Sequence, residues 1–175
     1  AAAEANSDSA PTRGLLVVRR PMQDQSQSMD VVETAYERLA LIGGDPLGLD
    51  EPFRTVVLAD TALGLIGNGG FEYFFESDFP GHPDYSIFAA AFQNLGLTYL
   101  VDGLRELIAL FPFPDPHLER DRRLTFLASP SPDFDSAASR LNDLVWQDSS
   151  IDERLRAYGV PPNNSFKPKP LRGSA

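Results

Sequence analysis

The sequence predicts a single all-α domain, a multi-helix bundle, and three observations carry that prediction. Apolar residues recur at helical intervals of three and four along most of residues 29–159. Alternation of apolar and polar residues, the signature of a strand, is nearly absent. Glycines and prolines separate the periodic stretches, as they do between the helices of a bundle. With 175 residues, 42% of them hydrophobic, the chain is long enough to bury one core.

Composition divides the chain into three parts. Residues 1–28 are rich in Ala, Ser, Gln and Asp and predict an extended N-terminal arm. Residues 29–159 form the helical domain, and residues 160–175, which contain four prolines, predict a C-terminal tail. The absence of cysteine excludes disulfides and thiolate metal sites. Since no apolar run is long enough to span a bilayer, we expect a cytoplasmic protein.

The first part of the helical domain predicts three helices. Asp30 and Glu33 have the spacing of a capping arrangement and begin the first helix. The second begins near Pro52 and runs to Ile66, and its nearly uncharged surface places it in the middle of the bundle. Glycines then interrupt it, and a short aromatic helix follows over residues 71–76.

Five further helices are predicted after a loop that contains Pro80 and Pro83. Thr98 is placed to cap the second of them, and Ser150 with Glu153 forms a capping box for the last. Trp146 is expected to fill the core. These helices cover about residues 85–95, 98–111, 115–128, 134–145 and 150–159.

The most unusual segment joins the central helix to the aromatic one. Its glycines permit a positive φ or a close backbone approach. Its asparagine can cap the short helix by accepting a hydrogen bond from a backbone N–H. One interpretation is a tight turn whose phenylalanines enter the core, and the other is a surface notch where Glu72 and Tyr73 contact a partner. The segment reads Asn68-Gly69-Gly70-Phe71-Glu72-Tyr73-Phe74.

The segment N-G-G-F-E-Y-F after an apolar helix resembles the motif N-G-G-F-x-(Q or E)-Y-F of the bacterial DNA-mimic-protein domain family, with Glu72 following Phe71 directly. The resemblance extends from Val31 to Tyr158, with Gly96 as a second landmark. The chain departs from the family pattern in carrying Glu72 where glutamine is common. The resemblance implies a helical domain whose acidic surface occupies the DNA-binding face of a transcription factor.

The net charge of −10 argues against direct binding to nucleic acid or to an anionic membrane, because both rest on Lys and Arg. The charge is −5 over residues 1–60, −6 over residues 61–118 and +1 over residues 119–175, which assigns the negative field to the first two thirds. Such a field steers a basic partner, although acidic helix faces also serve solubility alone. The predicted partner-binding face consists of Glu72, Glu76, Asp78, Asp84, Asp102 and Glu106.

The leading hypothesis is a noncatalytic module that binds a basic protein such as a DNA-binding transcription regulator. One alternative is an immunity or inhibitor protein that blocks a basic toxin or nuclease. Another is an enzyme that uses Asp60 or the loop around His82, where a His82–Asp84–Asp78 metal cluster can be drawn without any regular ligand spacing. The sequence predicts no catalytic residue, no metal and no cofactor, and leaves monomer and dimer open. It also leaves open whether the arginines at 120–123 are internal counter-charges or a second contact face.

Overall fold

A computed structural model describes residues 30–159 of the chain. Within that range the fold is the predicted all-α bundle, and no strand is present. The predicted arm, residues 1–28, and tail, residues 160–175, lie outside the described residues. The helices are α1 (Val31–Leu41), α2 (Phe53–Glu76), α3 (Ser86–Asn94), α4 (Thr98–Ala109), α5 (Arg120–Leu127), α6 (Pro132–Gln147) and α7 (Ile151–Ala157), with a 3₁₀ turn (Pro46–Gly48) between α1 and α2.

Helix α2 lies at the centre of the bundle, as its apolar sequence predicts. It contacts α1, α3, α5, α6, α7 and the 3₁₀ turn. Its N-terminal half is buried on nearly every side, because Thr55 through Ala59 are all shielded from solvent. The predicted aromatic helix is the last part of α2, separated from the rest by a kink at Gly69 and Gly70.

An aromatic cluster fills the core around the C-terminal part of α2. Phe74 meets the ring of Phe88 edge-on at a centroid distance of 5.2 Å. Phe75 meets Phe111 in the same way at 5.2 Å and lies 6.0 Å from Phe134. Each such pair contributes about 0.5–1.5 kcal/mol beyond the area that it buries. These aromatics are therefore core residues, as predicted.

Helices α4 and α6 pack side by side in opposite directions. Near the end of α4, Glu106 accepts hydrogen bonds from Arg140 in the middle of α6. At the start of α4, the Tyr99 hydroxyl donates to Asp148, the residue that follows α6, over 3.0 Å. This pairing fixes the surface that α6 presents to solvent.

Of the caps predicted for α1, α4 and α7, the first is confirmed and the other two are wrong. Asp30 caps α1 by accepting a hydrogen bond from the Val32 N–H over 3.1 Å. Thr98 is the first residue inside α4 and makes no capping bond. Ser150 precedes α7 but has helical backbone angles and does not cap it, because its hydroxyl bonds to Asp148 instead.

The prediction that Trp146 fills the core is wrong, because this residue is 72% exposed. The buried stripe of α6 contains Phe134, Ala138 and Leu141, with Val145 partly buried at its end. Trp146 follows Val145 directly, and successive residues of a helix point about 100° apart. The indole therefore lies on the outer side of the helix.

Candidate protein-binding surface

The glycine motif forms the kink of α2, and Gly70 is the residue that makes the kink possible. Its backbone has φ 74° and ψ −171°, a conformation that side chains other than glycine rarely adopt. A Cβ atom at this position would lie 2.6 Å from the Asn142 Nδ2 and 2.7 Å from the Glu72 Oε2. The Glu72 carboxylate thus folds back over the kink and lies beside the amide of Asn142.

The capping role predicted for Asn68 is wrong, because Asn142 performs it. The first N–H after the kink belongs to Phe71 and donates to the Asn142 Oδ1 over 3.0 Å. Asn68 is still within the helical part of α2 and its side chain is exposed. The capping group therefore comes from α6, 71 residues further along the chain. It joins α6 to α2 at the kink.

The motif divides between core and surface. Phe71 and Phe74 are completely buried, as the interpretation of the segment as a tight turn predicts. Tyr73 is 43% exposed and Glu72 is partly buried, so both can be reached from solvent. Their contact with a partner stays a prediction.

The described domain is more acidic than the whole chain. Residues 30–159 contain 22 acidic side chains and 9 basic ones, which gives a net charge of −13. All nine basic residues are arginines, since the chain's lysines lie at positions 167 and 169. Arginine has a planar fork of donors and is well suited to fixed internal hydrogen bonds.

The arginines are held in contacts within the domain. Arg123 is only 1% exposed and donates to Asp78 and to the carbonyl oxygens of Phe75 and Pro116. Arg120 also pairs with Asp78. Arg123 is therefore an internal counter-charge, whereas Arg120 pairs with the same carboxylate at the surface, where its side chain is 55% exposed. The others stack on Phe53 (Arg38) and Phe113 (Arg122), donate to the carbonyl oxygens of Leu49 (Arg54) and Leu95 (Arg154), or pair with Asp102 (Arg105), Glu106 (Arg140) and Asp30 (Arg156).

Most carboxylates of the described range lack such a counter-charge. Within residues 30–159, five of the 22 form an ion pair with an arginine. One of these pairs is loose, because Arg105 and Asp102 are 3.8 Å apart and their side chains are 69% and 81% exposed. The described domain thus presents many carboxylates without a positive partner, while each of its arginines contacts another residue of the domain.

The structure separates the six predicted partner-binding acids into three groups. Asp78, Asp102 and Glu106 pair with arginines. Asp84 lies 4.0 Å from His117 and accepts a hydrogen bond from the Ser86 N–H. Glu72 and Glu76 form no ion pair among the described residues. Whether the six contact a partner stays a prediction.

Several exposed acids were missed by the regional charge count. The count gave +1 for residues 119–175, but three of the nine positive charges in that region lie beyond residue 159. The six arginines between residues 119 and 159 contact other residues of the domain. The surface of α6 and α7 is consequently acidic as well. The exposed acids of these helices are Asp133, Asp135, Asp143, Asp152 and Glu153.

Hydrogen bonds keep three carboxyl groups ionised to low pH. The Arg120 side chain, with help from Arg123, lowers the pKa of Asp78 below its usual value. Hydrogen bonds from Ser86 lower the pKa of Asp84, and hydrogen bonds from Ser150 lower the pKa of Asp148. Their negative charges persist throughout the neutral range.

The residues suggested for an enzyme do not converge on a polar cleft. Asp60 accepts a hydrogen bond from the Tyr36 hydroxyl over 2.8 Å. His82 lies in an exposed loop. Between these regions is a cavity of about 130 Å³, and Thr61 is the one polar side chain in its lining. Within residues 30–159, no three His, Cys, Asp or Glu side chains are grouped to hold a metal ion. None of the helices described is long and apolar enough to cross a membrane.

The fold and surface define a class: an all-α acidic domain whose arginines are held in internal contacts. The chain belongs to the DMP19-like protein family, because the model of that family matches residues 48–162. The match begins in the 3₁₀ turn and takes in α2 to α7, which includes the kink, while α1 lies outside it. No curated protein and no solved structure matches the chain in the corresponding comparisons.

Proposed function

We propose that this protein is a noncatalytic DNA mimic that occupies the DNA-binding face of a basic regulatory protein. The observation that carries the proposal is that the described arginines contact other residues of their own domain, while most carboxylates of that domain have no arginine partner. Membership of the DMP19-like family and the resemblance of the glycine motif to DNA-mimic proteins support the same role.

The magnitude of the charge is consistent with mimicry. Duplex DNA carries one negative charge per about 1.7 Å of its axis. A compact domain of 130 residues is about 35 Å across, and a duplex of that length carries about 20 charges. The net charge of −13 on the described domain is about two-thirds of that value. A surface designed for solubility alone needs a net charge of only about 2–8.

An inhibitor of a basic nuclease or toxin would use the same electrostatics. Both roles predict a salt-sensitive complex, since counterions screen the attraction between exposed charges. The identity of the protein that is bound separates them.

The first experiment is affinity capture with the full chain at about 50 mM and about 500 mM salt, where the Debye length falls from about 14 Å to about 4 Å. The captured protein is then purified, and its binding to a labelled DNA duplex is measured by fluorescence anisotropy. We expect capture at low salt alone, and release of the duplex when the acidic chain is added. Capture that is insensitive to salt, or a ternary complex with DNA, would contradict the proposal.

Two double variants supply matched controls for each other. Glu33→Gln with Glu37→Gln removes two exposed charges from α1, and Asp135→Asn with Asp143→Asn removes two from α6. If one face binds the partner, the pair on that face weakens competition with DNA much more than the other pair. If neither double variant weakens the competition with DNA, the result would count against an electrostatic complex.

A further inference from the structure

Trp146 is the only tryptophan of the chain, and its side chain is 72% exposed. No other aromatic side chain among the described residues is as exposed. Tryptophan and arginine are enriched among the residues that dominate the energetics of protein interfaces. An indole in this position on an acidic domain is therefore a candidate contact residue.

The surroundings of the indole are acidic and fixed by the kink. Asn142 and Asp143 precede Trp146 by four and three residues, so all three occupy adjoining positions on α6. The Asn142 amide is held at the kink by its bond to Phe71, and the Glu72 Oε2 lies beside it. Neither Glu72 nor Asp143 pairs with an arginine among the described residues. Trp146 thus lies one helical turn from Asp143 and from Asn142, the residue beside which the Glu72 carboxylate lies.

We infer that Trp146, Asp143 and Glu72 bind an arginine side chain of the basic partner. The inference rests on the proposed function and assigns it a contact. A guanidinium group is planar and weakly hydrated, so it can stack on an indole while its edge donates hydrogen bonds to carboxylates. A lysine ammonium group lacks this planar match.

Charge also argues against a second copy of this chain as the occupant. Two copies would bring together domains of −13 each, with carboxylates beside each indole. The described arginines are already bound within their own domain. A basic protein meets neither obstacle.

The test uses the full chain with two labelled peptides, one of nine arginines and one of nine lysines, in anisotropy titrations at low salt. We expect the wild type to prefer the arginine peptide about two- to five-fold, the value of an exposed cation–π contact. Trp146→Ala, and separately Glu72→Gln with Asp143→Asn, should reduce that preference to about one. Leu118→Ala is the matched control, since Leu118 is an exposed apolar residue elsewhere on the surface. Acrylamide quenching of Trp146 fluorescence should decrease when the arginine peptide binds.

The outcomes separate this inference from the proposed function. If the basic peptides and the captured partner bind the wild type and Trp146→Ala equally in a salt-dependent manner, the arginine site is refuted and the acidic module stands. If neither binds the wild type, both are refuted. Protection of the indole that grows with the concentration of this chain alone, together with self-association in sedimentation that Trp146→Ala abolishes, would show that a second copy occupies the site and refute the inference.

Discussion

Replacing Asn142 with alanine tests the central structural assignment, the side-chain cap on the kink of α2. The substitution removes the acceptor of the Phe71 N–H, which is the first donor after the kink and belongs to a completely buried residue. Loss of a capping side chain costs about 0.5–2 kcal/mol, and an unpaired donor in a buried setting costs about 1–3 kcal/mol. Because Asn142 is only partly buried and water can reach the kink, we expect a loss of about 1–2 kcal/mol.

Asn68→Ala is the matched control, because Asn68 is the residue of the motif that the sequence predicts as the cap. It is exposed and lies in a helix, so alanine there should change the free energy of unfolding by less than about 0.5 kcal/mol. Urea unfolding followed by circular dichroism measures both variants. A loss of about 1 kcal/mol should also lower the Tm by about 4 °C. If Asn68→Ala is the more destabilising change, or if Asn142→Ala unfolds like the wild type, the assignment of the cap is refuted.

Two further predictions concern the kink of α2 and the ion pair between Asp78 and Arg120. Gly70→Ala should lower the free energy of unfolding by about 2–4 kcal/mol, because the position has a positive φ and a Cβ there would contact Asn142 and Glu72 closely. Gly67→Ala is the control in the same urea assay. It should be neutral or slightly stabilising, because Gly67 is in a helix and has open space around it. Comparable effects at the two glycines would contradict the strained role of Gly70. Because the folded state lowers the pKa of Asp78, its stabilising contribution is complete above the unfolded pKa of about 4 and is lost as the pH falls through the lower folded value. The urea midpoint of the wild type should therefore decrease between about pH 5 and pH 2 more than that of Asp78→Asn, and parallel pH profiles would show that the ion pair contributes little.

The helices could be predicted from the sequence because helix formation depends mainly on neighbours within one or two turns. The periodic apolar residues, the cap at Asp30 and the glycines at the kink are all local signals. The central place of α2 also follows from its own composition, since a helix with almost no charge must be surrounded by other helices.

The candidate surface was less predictable, because it depends on which groups meet in space. Asp78 meets Arg120 across 42 residues and Glu106 meets Arg140 across 34, and neither partner is marked in the local sequence. Counting charges by region therefore placed the negative field in the first two thirds, whereas the structure shows exposed acids on α6 and α7 as well.

The sequence by itself determined that this chain is helical and acidic and that its central helix breaks at a pair of glycines. The tertiary structure decided which asparagine caps the break, which carboxylates pair with an arginine and which aromatic residue faces solvent. The physical reason is the range of the interactions. Backbone hydrogen bonds and helical periodicity act over four residues, whereas Asn142, Arg140 and Trp146 owe their roles to the packing of α6 against α2 and α4.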